Sequence, residues 1–155
     1  MVIPKCYQLI GVPAAGKSTW YQKQDWAKDC SYISTDMWVE LEAERLGTTY
    51  NEVFKDYMPT AVNLMARNVE LAREKNKDII WDQTSVSVKS RQKKFRMLPG
   101  YEHIAIVFLT PERSELDVRL SGRFGKHIPK NVIDSMIANF EMPTLGEGFI
   151  EIQYG

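Results

Sequence analysis

The stretch Gly11-Val-Pro-Ala-Ala-Gly-Lys-Ser18 fits the pattern G-x-x-x-x-G-K-[ST], and each residue type in it has a chemical reason to be there. Glycines let backbone N–H groups turn inward and approach phosphate oxygens, and a helix starting at the lysine adds a partial positive charge. Lys17 can reach the β/γ oxygens of a nucleoside triphosphate, and the Ser18 hydroxyl can ligate Mg²⁺. Gly11, Ala14, Ala15, Gly16, Lys17, Ser18 and Thr19 are therefore the expected triphosphate contacts, with ATP and Mg²⁺ as cofactors and Ser18 as the metal ligand. The plainer reading is a glycine turn between strand and helix. The apolar run before it and a helical segment from Lys17 to about Asp25 favour the cradle.

Moving a phosphoryl group also needs something to take the proton of the attacking hydroxyl. Asp36, ending Tyr32-Ile-Ser-Thr-Asp36, and Asp82, ending Ile79-Ile-Trp-Asp82, are the candidates. Asp36 could equally be the N-cap of a helix over Met37–Leu46, and Asp82 could form a turn with Gln83 and Thr84. Arg119 and Arg123 stand four apart, so on a helix they would share a face. From there they could close over a transferring γ-phosphoryl group, although such a pair also suits a solvated surface. His103, opening a strand, is expected to be structural, and His127 is expected to serve its loop.

These side chains need elements to carry them. Apolar runs predict strands at Cys6–Ile10, Tyr32–Ser34, Asp78–Trp81, Ile104–Leu109 and Phe149–Gln153. Helical spacing appears from about Thr60 to Lys75 and again from Val132 to Phe140, with turns at Leu46–Thr49 and Leu98–Tyr101. Strands alternating with helices predict an α/β fold, a mainly parallel sheet with helices on both faces. No repeat or long linker interrupts it, and residues 1–155 read as a single domain. No apolar run suits a membrane helix, the N-terminus lacks the features of a secretory signal, and Cys6 and Cys30 read as reduced thiols. A cytoplasmic location is expected.

The formal net charge is zero, which argues against indiscriminate nucleic-acid binding. The charge is nevertheless uneven: Val86 to Asn131 holds ten Lys/Arg against four Asp/Glu, a surplus of six. Lys89, Arg91, Lys93, Lys94 and Arg96 could form a phosphate track or an ordinary solvated helix face.

Several segments, in order along nearly the whole chain, resemble the kinase domain of polynucleotide 5′-kinases. They are GVPAAGKSTW, the aspartate after the second strand, WDQTSVSVKSR, the Arg119/Arg123 segment running into HIP, and FEMPTLGEGF, which is most similar to the animal enzymes. The resemblance implies a P-loop kinase fold with a short arginine-bearing lid, and transfer of the ATP γ-phosphate to a hydroxyl. It implies Asp36 as general base, Lys17 and Ser18 as phosphate and Mg²⁺ contacts, and Arg123 as lid arginine supported by Arg119. Asp82, with Thr84 and Arg91, would face the acceptor. Thr35 and Val39 stand where the family or its phage-type members carry arginine, and Glu40-Leu-Glu-Ala-Glu44 is acidic. No D-x-D occurs for the phosphatase domain often fused to these kinases. The expected acceptor is a polynucleotide 5′-hydroxyl, in nucleic-acid repair. A small phosphorylated metabolite or nucleotide is the alternative, and a non-catalytic nucleotide switch is a third reading.

Overall fold

The computed structural model describes residues 2–155. Its strands are β1 (Lys5–Ile10), β2 (Ser31–Ile33), β3 (Ile79–Asp82), β4 (Glu102–Val107) and β5 (Phe149–Tyr154). All pair in parallel, in the order β2-β3-β1-β4-β5. The fold is the expected α/β, P-loop kinase type. Parallel strands covered on both faces can be apolar at every position, which is why β4 is buried from His103 to Val107.

Alternation along the strands divides the core in two. Cys6, Ile33, Ile79 and Trp81 face Met65, Val69 and Ala72 of helix α3 (Tyr50–Glu74). Helix α4 (Val88–Met97) joins the same side, Phe95 packing with Ile10, Ala105, Val107 and Phe149. Leu9, Ile80, Ile104 and Ile106 face the other way, against Trp20 and Tyr21 of helix α1 (Lys17–Lys23) and Ala27 of a 3-10 turn. Helix α2 (Asp36–Leu46) packs on α3 through Val39, Ala43, Val53 and Ala61. Helices α5 (Arg113–Ser121) and α6 (Lys130–Ala138) close over the P-loop through Val12, Leu116 and Ile133.

Two expectations move. Helix α3 starts at Tyr50, ten residues before the predicted Thr60, because Pro59 lies inside the helix instead of opening it. Proline costs the bond to the carbonyl of Lys55, but Thr49 Oγ1 accepts from Glu52 N–H (3.4 Å) and the α2 contacts hold the first turns. Helix α1 ends at Lys23, short of Asp25. No helix among the described residues is long and apolar enough to cross a membrane.

Candidate active site

In an open parallel sheet, ligands bind beyond the carboxyl ends of the strands where the winding changes direction. Here that place is around β1, whose neighbours β3 and β4 were laid down on opposite sides. Register aligns Leu9 with Asp82, and Gly11 N–H donates to the Thr84 carbonyl (2.9 Å), so the P-loop and the end of β3 share one rim. A cleft of about 1340 Å³ opens there, and it is lined by Ala14 to Thr19, Asp36, Asp82, Thr84, Arg119, Arg123 and Lys126, among others.

The two glycines of the motif do different work. Gly16 has φ +109, and a Cβ built on it would meet nothing within 4 Å; the glycine is there for its backbone angle and leaves open space beside the loop. Gly11 is buried, and a Cβ there would come within 2.9 Å of Phe108 Cβ. Its role is close packing of β1 against the end of β4, which corrects its expected place among the phosphate contacts. Ala14, at φ +64, completes the curl of the loop.

Lys17 does not simply face solvent: its Nζ donates to the Gly11 carbonyl (2.6 Å), closing the loop on itself. Burial pulls its ammonium down to about 8, against the opposing pull of Asp82 and Asp36. Ser18 and Thr19 follow it, exposed, at the start of α1. An ammonium able to leave a carbonyl for a phosphate, an exposed hydroxyl beside it and an open backbone curl all fit a triphosphate with Mg²⁺.

Asp36 is the first residue of α2, but its carboxylate does not cap the helix. Ser34 Oγ accepts the Met37 N–H (3.2 Å) instead. One oxygen of Asp36 accepts from the Tyr50 hydroxyl (2.7 Å), and the other meets Lys126 Nζ at 3.2 Å. Lys126 also reaches Glu40 (2.9 Å) and lies 4.5 Å above the Tyr50 ring. Burial and the Asp36 bond push the Tyr50 phenol up. Asp82 accepts a hydrogen bond from the Tyr32 hydroxyl, and burial raises its carboxyl above the ordinary range despite that bond and Lys17.

Arg119 and Arg123 both line the cleft, but not from one helix face. Helix α5 stops at Ser121 and Gly122 turns the chain, so Arg123 lies beyond it. Arg119 donates to the Ala14 carbonyl (3.1 Å) and pairs with Glu115. The buried Nη1 of Arg123 has no hydrogen-bond partner among the described residues. The segment carrying it is pinned to the start of α3: Gly125 sits at φ +70, where a Cβ would strike Thr49 at 2.7 Å, and Asn51 Nδ2 donates to the His127 carbonyl (2.9 Å).

Arg91 is not brought to the cleft. It is fully buried on α4, where Nε and Nη2 meet Glu147 at 2.8 and 3.2 Å and Nη1 donates to the Ser85 carbonyl (2.9 Å). Every arm of the guanidinium is used, so the expected acceptor contact becomes a tie between α4 and the turn before β5. Lys94 is buried as well, with Nζ 5.4 Å from the Trp81 ring, and burial pulls it down to about 8. The basic helix is therefore not one solvated track; Lys89, Lys93 and Arg96 remain exposed. His103 is structural, as expected: buried, it bonds to Gln8 (3.1 Å), and burial lowers its pKa. Val39 is core between α2 and α3, and Thr35 Oγ1 accepts from Gln83 (3.3 Å).

Sequence reasoning missed Lys126 and Tyr50. Lys126 carried a signal, a lysine three residues past the lid arginine in a Gly/Pro-bounded segment. Tyr50 carried none, because Pro59 hid the first turns of its helix.

Comparison with solved structures returns the same architecture. A chain of the Pnkp1/Rnl/Hen1 RNA repair complex superposes with a TM-score of 0.67 at 23% identity, covering 90% of this chain; this chain spans only 44% of that one. A chain from the PezAT toxin–antitoxin system of Streptococcus pneumoniae gives 0.65 at 19% identity, with 99% and 67% covered. A gluconokinase from Sinorhizobium meliloti gives 0.53 at 15%, with 99% and 83% covered. Likeness at these identities speaks for the fold. The family model described as AAA domain matches residues 7–143, which takes in the P-loop, Asp36, Asp82 and the whole Arg119–Lys126 segment. By that match, running from inside β1 to just before the last turn, the chain belongs to the AAA domain family.

Proposed function

We propose that this protein is an ATP- and Mg²⁺-dependent kinase that phosphorylates a hydroxyl, the 5′-hydroxyl of a polynucleotide in the first instance. The observation that carries the reading is the placement of Asp36. Its carboxylate is released from helix capping, held by Tyr50 and Lys126, and set in the same cleft as Lys17 and Arg123, whose Nη1 has no partner among the described residues. A nucleotide switch has no use for such a carboxylate.

In this reading ATP supplies the phosphoryl group, and the Ser18 hydroxyl would hold Mg²⁺, which would supply charge neutralisation at the phosphate oxygens. Lys17 exchanges its bond to Gly11 for the phosphate oxygens. Arg123 donates Nη1 to the charge that develops as the phosphoryl group moves. Arg119, already at the Ala14 carbonyl, steadies the loop from above. Asp36 accepts the proton of the attacking hydroxyl, while Tyr50 and Lys126 keep its oxygens oriented. Asp82, with Thr84 beside it, borders the acceptor side.

A small phosphorylated metabolite or nucleotide as acceptor is the second reading. The burial of Arg91 and Lys94 favours it, since it removes two cations from any phosphate track, and so does Glu40 at the cleft edge. The deciding experiment offers γ-labelled ATP with oligonucleotides bearing 5′- or 3′-hydroxyls, nucleosides, nucleotides and sugars. Label on 5′-hydroxyl ends is the expected result. Label confined to a small molecule moves the assignment to the second reading, and no label on any acceptor removes the kinase reading.

A further inference from the structure

Helix α3 leaves three large apolar side chains about equally exposed: Phe54 at 42%, Val62 at 41% and Leu71 at 40%. Val62 and Leu71 face away from the cleft's lining, and single exposed apolar residues need no explanation. Phe54 is different, because it lines the cleft on the same wall as Asp36. Apolar surface kept open inside a reactive cleft is surface available to a ligand.

Tyr50 backs it. The Tyr50 ring lies 5.4 Å from that of Phe54, tilted by 38°. Tyr50 itself is fixed by its hydrogen bond to Asp36 and by the Lys126 ammonium over its ring. Phe54 therefore leans on a ring that cannot turn away without releasing the candidate base. The charges on this wall are already committed to one another, Lys126 answering both Asp36 and Glu40. What the wall offers an incoming molecule is an aromatic face.

We infer that Phe54, backed by Tyr50, is the platform on which the acceptor stacks, and that the acceptor hydroxyl is borne by a molecule with a planar ring, a nucleobase. This rests on the kinase reading above and narrows it: the ring next to the reacting hydroxyl is recognised by its face, without preference among the bases, because every base has one.

The test pairs two oligonucleotides that differ only at the 5′-terminal residue, one carrying its base and one abasic, both with a free 5′-hydroxyl. The wild-type protein is expected to show a KM about 5- to 150-fold higher for the abasic end, the range that stacking on an aromatic side chain provides. Phe54→Ala raises KM for the base-bearing end to the abasic value and leaves the abasic end and ATP alone. Phe54→Trp restores the difference. Thermal melting of Phe54→Ala close to wild type shows that the fold is kept. A Phe54→Ala protein that treats both ends as wild type does, or loses both equally, overturns the platform while leaving the kinase reading in place. If no oligonucleotide is phosphorylated, the polynucleotide acceptor is wrong, and the same variants are assayed with free nucleosides and with sugars. Nucleoside phosphorylation that depends on Phe54 sustains the platform; a sugar as the only acceptor, or no acceptor at all, overturns it.

Discussion

Arg91 and Lys94 on one side, Arg123 and Lys126 on the other, come from the same basic stretch of sequence and end in opposite circumstances. On α4, the Arg91 guanidinium is fully satisfied by Glu147 and Ser85, and Lys94 is buried against Trp81. Around the cleft, Arg123 keeps a buried nitrogen without a partner among the described residues, and Lys126 is spread over two carboxylates and a ring. The first pair is built into the scaffold, and the second faces the cleft. Charge in a sequence therefore says little until its partners are known, because a satisfied cation and a waiting one have the same letter.

The hardest way to break that comparison is at Asp36. Asp36→Asn is expected to lower kcat by roughly 10²–10⁴ with little change in ATP affinity by calorimetry. Loss of folding with normal activity per folded molecule would make Asp36 a structural group like those on α4. Arg91→Leu should do the reverse. It leaves Glu147 buried and unpaired, so the protein loses about 3–5 kcal/mol in denaturant unfolding. Turnover per folded molecule stays unchanged, and adding Glu147→Leu recovers most of the loss.

A smaller effect is expected from Lys17→Ala, about a hundredfold in transfer, through loss of a charge contact to the moving phosphoryl group. The same lysine sharpens the comparison by pH. Its ammonium is present below about pH 8 and lost above it, so kcat/KM for ATP should fall as the pH rises through that value. The pH profile of Lys17→Arg should lack this fall.

The smallest effect belongs to Lys94. Burial lowers its pKa from 10.5 to about 8, so at neutral pH the folded state holds a charge at a cost. Between those two values the unfolded chain binds the proton and the folded one does not, so this group makes stability rise with pH across that window. Lys94→Met should remove that rise and gain on the order of 1–3 kcal/mol at pH 7, read from urea midpoints across the pH range.

What could be read in the sequence was what depends on near neighbours. The P-loop is contiguous, and β1 and β4 announce themselves as apolar runs bounded by turns. Asp82 falls at the end of such a run. The rest was lost where distance or context decides. Arg119 and Arg123 look like one helix face, but Gly122 ends α5 between them. The helical spacing is plain only from about Thr60, yet the packing of α2 on α3 holds a helix that runs through Pro59 from Tyr50. Arg91 looked available because Glu147 lies 56 residues further on, and no local signal joins them. Two of the segments that resemble the polynucleotide 5′-kinases, WDQTSVSVKSR and FEMPTLGEGF, meet through that ion pair.

That ion pair also sets a clock. During synthesis Arg91 leaves the ribosome 56 residues ahead of Glu147, an interval of roughly three to eleven seconds at ordinary elongation rates. Throughout that time the guanidinium lacks Glu147, its partner in the core, and β4 has an open edge because β5 has not been made. The P-loop, both aspartates and the Arg119–Lys126 segment have all emerged by then. The growing chain thus holds its candidate reactive groups before β5 can cover the β4 edge of the sheet.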